Sequence, residues 1–257
     1  MSRGVVRCLL AAALFGASTP AASVLAGDTP PLVLAGLLYL GAAFVVAPNV
    51  IRKRPTTEAM TSSWRALAAA VIFGGAIGPA LLVAGLTQVD AATASILLNL
   101  ERAATVALAA LLFQEHLGGR VVAGAALVTA GGVLLVWQPG TAVSFAGLLI
   151  AAACVCWGID NCVTAKIDHV RPEAVVLLKG IVAGSANLLL GLLILGGAGH
   201  LSLLGVLAAL VVGALGYGVS ITQWVKGARE LGAARGQLIF AAAPFIGAVL
   251  ALSLIHI

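Results

Sequence analysis

Four ionisable side chains sit inside runs that are otherwise apolar: Glu101, Arg102, Asp160 and Lys179. In hydrocarbon each costs about 2.5–3.5 kcal/mol on the insertion scale, so such groups persist when paired or when they line a wet cavity. Asp160 lies six residues from the end of its apolar run, about 9 Å at 1.5 Å per residue, and Lys179 five residues into the next, about 7.5 Å. Similar depths on successive antiparallel helices predict an Asp160–Lys179 ion pair, gating or structural. The alternative is that each side chain snorkels to a different surface. Glu101 lies about 13 Å from the outer end of its run, near the midplane. A carboxylate at that depth must take up a proton or meet a cation. Glu101 is therefore the candidate for proton coupling or for holding a cationic group. Arg102, with its fork of donors, is the candidate for a substrate carboxylate. Neighbours on a helix do not face each other, so the two need not pair; a fixed internal salt bridge is the competing reading. Ser95, Asn99 and Arg102 share one face, with Glu101 and Thr105 beside it. That polar stripe should face the interior of a helix bundle.

Trp157, Asn161, Tyr217, Gln223 and Trp224 are further candidates for lining a pathway, with ordinary packing an equal reading for each. So is Gly16-Ala17-Ser18-Thr19-Pro20, read as a broken stretch in which proline frees a backbone carbonyl. Gly74/Gly78 and Gly180/Gly184 have the small-xxx-small spacing of packed helices. No P-loop, GxSxG, HExxH or EF-hand pattern occurs. His116, His169 and His200 stand singly at run ends, and His256 is next to last in the chain. Cys8, Cys154, Cys156 and Cys162 fall in apolar segments without a CxxC pair or zinc spacing, and read as small packing residues. The expectation is no metal and no cofactor; ATP-driven work would need a partner subunit.

The elements that must position these residues are membrane helices. Of 257 residues, 61% are hydrophobic and only 9% charged, against roughly 25% charged in soluble domains. Cys8–Gly27, Pro31–Ile51 and Ala66–Val89 carry no charge at all. Each is long enough to cross the hydrocarbon as a helix, which takes about 20 apolar residues, whereas a barrel strand alternates and needs about ten. Nine spans are predicted: 5–25, 31–51, 65–86, 91–113, 119–137, 144–166, 174–196, 202–225 and 235–257. The longest connection, Arg52 to Trp64, reads as a loop.

The net charge of +5 does not indicate nucleic acid, because the basic residues sit in short connections. Twelve of the 14 basic residues fall in alternate connections: Arg3 and Arg7; Arg52, Lys53, Arg54 and Arg65; Arg120; Lys166 and Arg171; Lys226, Arg229 and Arg235. The intervening connections carry none. The positive-inside rule then predicts a cytoplasmic N-terminus. A competing reading takes the first segment as a secretory signal peptide, but this segment has a counterpart in mid-chain.

That counterpart comes from an internal repeat. One constant shift along the chain carries Phe15-Gly16 onto Trp157-Gly158, Pro30 onto Pro172, Gly74 onto Gly216, Val83 and Gly85 onto Val225 and Gly227, and Ala91-Ala92 onto Ala233-Ala234. Five spans per copy is an odd number, so the second copy enters the membrane from the other side. The charges agree: four basic residues lie in 52–65, none in its counterpart 194–207. The expected fold is an all-α integral membrane protein, an inverted repeat of five transmembrane helices with nine present of an expected ten. Its halves are 1–140 and 141–257. A tenth span is expected near 261–279, and Leu252–Ile257 reads as a non-native tail.

Ala11–Pro20, Leu97–Glu115 with Gly118-Gly119, Cys156–Asn161, Lys179-Gly180 and Leu231–Arg235 running to Pro244 form a set of stretches. Together they resemble the EamA-like branch of the drug/metabolite transporter superfamily. Glu115 resembles the glutamate that usually closes the fourth helix in that family. Pro244 supplies a proline usual midway along the ninth helix, whereas Arg102 occupies the matching place in the fourth. The resemblance implies ten helices as two inverted fives, and transport of amino acids, other metabolites or drugs, mostly outward.

Together these readings predict a secondary transporter, not an enzyme, in a bacterial plasma membrane. It would export a small metabolite or drug, an amino acid or a cationic compound, by alternating access with proton coupling. The bilayer and the substrate are its expected partners, nucleic acid is not, and it would act as a monomer or a homodimer. The alternative is a membrane-embedded enzyme or a non-transporting assembly factor, and an enzyme should cluster its polar groups at one membrane face.

Overall fold

The computed structural model describes residues 2–27, 29–86, 97–134, 145–194 and 202–255. Among these residues all regular structure is helical. The first half contributes α1 (Arg3–Ala26), α2 (Pro31–Arg52), α3 (Thr57–Ser62), α4 (Trp64–Val71), α5 (Gly78–Leu86), α6 (Leu100–Leu111) and α7 (Gly119–Leu134). The second contributes α8 (Phe145–Lys166), α9 (Pro172–Ile194), α10 (Leu203–Gly213), α11 (Ser220–Leu231), α12 (Ala233–Phe240) and α13 (Ala243–Ile255). A π-helical turn, Ile72–Ile77, joins α4 to α5, and another, Ala214–Val219, joins α10 to α11.

Among the described residues six continuous helical stretches are long and apolar enough to cross a bilayer: Arg3–Ala26, Pro31–Arg52, Trp64–Leu82, Phe145–Lys166, Pro172–Leu193 and Leu203–Leu231. Val24, Phe44, Leu111 and Leu193 are each more than three-quarters exposed on the outside of the bundle. On helices of this length such a surface suits hydrocarbon. The chain is an all-α, multi-pass membrane protein.

The two halves repeat the same plan. The shift that carries Phe15 onto Trp157 also carries Arg3, which opens α1, onto Phe145, which opens α8. It carries the π-helical turn Ile72–Ile77 onto Ala214–Val219. The two turns match at both ends, so even a local irregularity is copied. α2 and α9 pack against each other in opposite directions. Gly36 lies against Leu188, Leu40 against Gly184, and Val33 against Gly191. A Cβ on Gly36 would come within 2.7 Å of Leu188 N, so these glycines set the close approach of the two backbones. The same shift carries Gly41 onto Ala183, at the centre of this antiparallel contact. The pairing relates these two counterpart helices by an approximate twofold passing there, across both. This is the inverted repeat.

Each half also reaches into the other. α1 packs on α11, α12 and α13, while α8 packs on α5 and α6. Cys8 meets Gly227, and its counterpart Ile150 meets Gly85. Ala11, Trp224 and Val225 are buried in one apolar cluster with residues of α6, α8 and α12. Trp224 is thus a core residue, and α1 is an integral member of the bundle.

Four expectations need correction. The connection 52–64 holds a short helix, α3, because Thr56 caps it by accepting from Ala59 N at 3.2 Å. The stretch Gly16–Pro20 is not broken; α1 runs through it, with the Ser18 and Thr19 hydroxyls folded back onto Phe15 O. The eighth span extends past 225 to Leu231, because Lys226, Arg229 and Glu230 find protein partners in Glu173, Val170 O and Arg7. The ninth span is two helices. Pro244 has no N–H for the Phe240 carbonyl, and the chain turns at Ala241-Ala242. The fourth span turns one residue earlier in register, at Leu98-Asn99, although Arg102 stands where the second copy has Pro244. Ser95, on the expected polar stripe, lies outside the described residues.

Candidate functional site

Gly158 on α8 lets that helix sit directly on α6; an added Cβ would come within 3.1 Å of Thr105 N. One turn further along α8, Asn161 faces Glu101. Its amide donates to Glu101 Oε1 at 2.9 Å and to Thr105 Oγ1 at 3.2 Å, while the Thr105 hydroxyl donates to the Glu101 carbonyl at 2.8 Å. A third element closes the site. Gln237 of α12 donates to the same Glu101 Oε1 at 3.1 Å. Thr105 and Gln237 are buried. Glu101 is therefore held by neutral amides from the second half, and it belongs to none of the four ion pairs among the described residues.

Arg102 does not pair with Glu101. Its Nη1 donates to Asn99 Oδ1, one turn back, across the interruption in the fourth span. Its Nε is buried without a hydrogen-bond partner. The adjacent acid and base thus point to different partners, against a fixed salt bridge between them.

Asp160 and Lys179 are brought together. The ammonium meets Asp160 Oδ2, and Thr164, one turn further along α8, donates to Oδ1 at 3.0 Å. Both members of the pair are almost fully shielded from solvent, the Asp160 side chain 7% exposed and the Lys179 side chain 11%. The carboxylate lies over Gly74 in the first π-helical turn, where any Cβ would collide with it. Gly78 lies under Trp157 in the same way. The Gly74/Gly78 spacing thus serves two polar side chains of α8 as well as backbone approach. Trp157 Nε1 donates to Gly74 O at 3.2 Å. That carbonyl is free for a reason. Gly78 N–H bonds Phe73 O, and the next residue, Pro79, has no N–H to offer.

Tyr217, in the second π-helical turn, packs its ring 5.3 Å from Phe15 and 5.8 Å from Tyr39, and Phe15 is also 5.3 Å from Phe240. This aromatic cluster lies on the other side of the twofold from Trp157, whose counterpart is Phe15. Gln223 lies half-buried on α11 and bonds none of these residues. Among the described residues no three His, Cys, Asp or Glu side chains group as metal ligands.

The scaffold is copied but its charges are not. The repeat replaces Glu101 by Ala243, Arg102 by Pro244, Asp160 by Ser18, Asn161 by Thr19 and Lys179 by Leu37. One side of the twofold is charged and amide-rich, and the other is apolar and aromatic.

Sequence reasoning missed Gln237, Thr164 and the pairing of buried Glu173 with the partly exposed Lys226, 2.7 Å apart. Gln237 had a signal, being the sole polar side chain between Arg235 and Ser253. Glu173 had a weaker one; it falls at the edge of its apolar run and reads as a connection, but it lies in the first turn of α9 and is buried.

The model of the EamA-like transporter family matches residues 2–137 and again 144–257. An uncharacterized protein of Pseudomonas aeruginosa is 30% identical over 217 residues, 82% of this chain and 71% of that one. An uncharacterized transporter of Methanothermobacter thermautotrophicus is 24% identical over 96% of this chain and 78% of its own. A solved crystal structure, 19% identical, matches with a TM-score of 0.80 over 98% of this chain and 88% of that one, a likeness of fold. With the same family model matching each of the two copies in turn, the chain belongs to the EamA-like transporter family.

Proposed function

We propose that this membrane transporter is a secondary, proton-coupled exporter of small metabolites or drugs that carry a cationic group. It works by alternating access between halves 1–140 and 141–257, in a bacterial plasma membrane with the N-terminus in the cytoplasm. The observation that carries this reading is the setting of Glu101. It is a half-buried carboxylate inside the bundle, held by the amides of Asn161 and Gln237 and left without an ion pair. Amide donors leave its charge uncompensated. The site can therefore accept either a proton or a substrate cation, and competition between the two for one carboxylate links their movements in opposite directions.

Arg102 serves as the companion site for a substrate carboxylate where one is present. The Asp160–Lys179 pair fixes α8 against α9 next to this site. The cytoplasmic N-terminus rests on the placement of twelve basic residues in alternate connections. We read the chain as a transporter and not as an enzyme, since its polar side chains bond one another within helix interfaces.

Purified protein in liposomes, offered amino acids and cationic drugs with and without an imposed pH gradient, tests the reading. Uptake of at least one compound should follow the gradient. Glu101→Gln should abolish the response to the gradient and leave the protein folded. Gradient-driven uptake by that variant equal to the parent would remove Glu101 from the mechanism.

A further inference from the structure

α12 is one of the short helices of this bundle. It has eight residues, Ala233–Phe240, and the chain breaks regular helix at both of its ends. At its start Gly232 has φ +91°, a left-handed value that side chains rarely adopt. At its finish the chain turns at Ala241-Ala242, before Pro244. A short rigid rod between two backbone breaks can move as a unit.

What holds it is the first half. Beyond α6 the chain reverses at Gln114, whose φ of +50° is also left-handed, and this returns Glu115 to the bundle with its N–H on Ala109 O at 2.8 Å. The Glu115 carboxylate then accepts from Ala233 N at 2.9 Å and from Ala234 N at 3.4 Å, the first two amides of α12. These amides have no partner within their own helix, and a carboxylate there also answers the helix dipole. A Cβ on Gly232 would lie 2.6 Å from Glu115 Oε2, and with the φ of +91° this makes glycine the residue that fits beside the cap. One turn along, Gln237 donates to Glu101 at 3.1 Å. Glu101 lies on α6 and Glu115 just beyond it, so both carboxylates belong to the first half, and both act on the same eight-residue helix of the second. The other charged groups near Glu101 are Arg102, held by Asn99, and Asp160, held by Lys179.

We propose that α12 is a gating helix at the basic end of the bundle, clasped shut across the repeat interface by Glu115 at its N-terminus and by Glu101 through Gln237. This rests on the alternating-access reading above and adds a positioning role for Gln237. When Glu101 loses its charge, one of the two holds weakens, and the rod swings on Gly232 and Ala241-Ala242. The site and its gate then share one carboxylate.

Hydrogen exchange of the full chain in lipid nanodiscs, followed by mass spectrometry, tests this without any substrate. Charge-assisted hydrogen bonds are roughly twice as strong as neutral ones. Glu101→Gln should therefore speed exchange across 233–240 by about fivefold, and Gly232→Ala, which evicts the cap, by about tenfold. Exchange across 203–225, in α10 and α11, should stay unchanged in both. A cysteine at Ile239, in a background with the four native cysteines replaced, should become reactive to an impermeant thiol reagent from the face that carries Arg235. Equal protection of 233–240 in the parent and Glu101→Gln overturns the clasp. So does a rise spread evenly over all helices, or labelling from the opposite face. The exchange assay needs no transported compound, so failure of gradient-driven uptake and failure of the clasp register separately.

Discussion

Ser18 and Asp160 occupy the same place in the two copies of the fold. Each is seated on a glycine of a π-helical turn in the opposite half, Ser18 on Gly216 and Asp160 on Gly74. One seat holds a hydroxyl that bonds its own helix, and the other holds a carboxylate paired with Lys179. The place is therefore structurally compatible with either side chain, and the choice of acid is a separate property of the second copy.

Asp160→Ser should leave the Lys179 ammonium buried and unpaired, at a cost of about 3–5 kcal/mol. Exchanging both members for their counterparts, Asp160→Ser with Lys179→Leu, should restore most of that loss, since Ser18 and Leu37 already make this arrangement work in the other half. Thermal unfolding in detergent reads the result. A double variant no more stable than the single would show that the two seats are not equivalent.

Trp157→Phe copies Phe15 into the first seat. It removes the indole donor from Gly74 O, which Pro79 leaves free of helical bonding. The expected loss is about 1–3 kcal/mol, the cost of stranding a buried carbonyl, with faster hydrogen exchange confined to 72–82. Restoring the N–H by Pro79→Ala in the same chain should recover part of it.

Arg102→Gln separates charge types. If the guanidinium receives a substrate carboxylate, KM for an amino acid should rise at least tenfold, a loss of about 1.4 kcal/mol. KM for the corresponding decarboxylated amine should change by less than about twofold. Equal effects on both compounds would assign Arg102 to packing with Asn99.

Lys226→Met should cost about 1–3 kcal/mol, because Glu173 is buried and Lys226 is its nearer partner, with Arg171 at 3.5 Å. Glu173→Gln should cost less, since Lys226 remains about a third exposed and can reach water. The order of the two unfolding midpoints checks this.

Single cysteines at Thr57 and Ser202 should react with an impermeant reagent from opposite faces of the membrane. The same face for both would contradict the opposed polarity of the two halves.

The sequence made the plan of this protein readable because the repeat and the charge bias are one-dimensional signals. One constant shift between the copies, and twelve basic residues in alternate connections, survive without any knowledge of contacts. The Asp160–Lys179 pair was legible for a similar reason, since equal depth on adjacent helices is a matter of counting. Gln237 was not readable as a partner of Glu101, because the two lie far apart in the chain and meet only when α12 breaks from α13. Nor was the role of Gly74. Small-xxx-small spacing signals close approach, but it does not say that the approaching group is a carboxylate. The turn at Leu98-Asn99 left no trace either, as no proline marks it.

Each π-helical turn holds one surplus residue relative to a regular α-helix. Everything beyond it is rotated by about 100° from where an uninterrupted helix would point. In the first copy this aims Gly85 at Ile150, and in the second it aims Ser220 and Gly227 at Ala11 and Cys8. The fit between the halves is thus keyed by a single inserted residue on each side. Removing one, even at an outward-facing position such as Ile72, would turn the far end of its helix out of mesh.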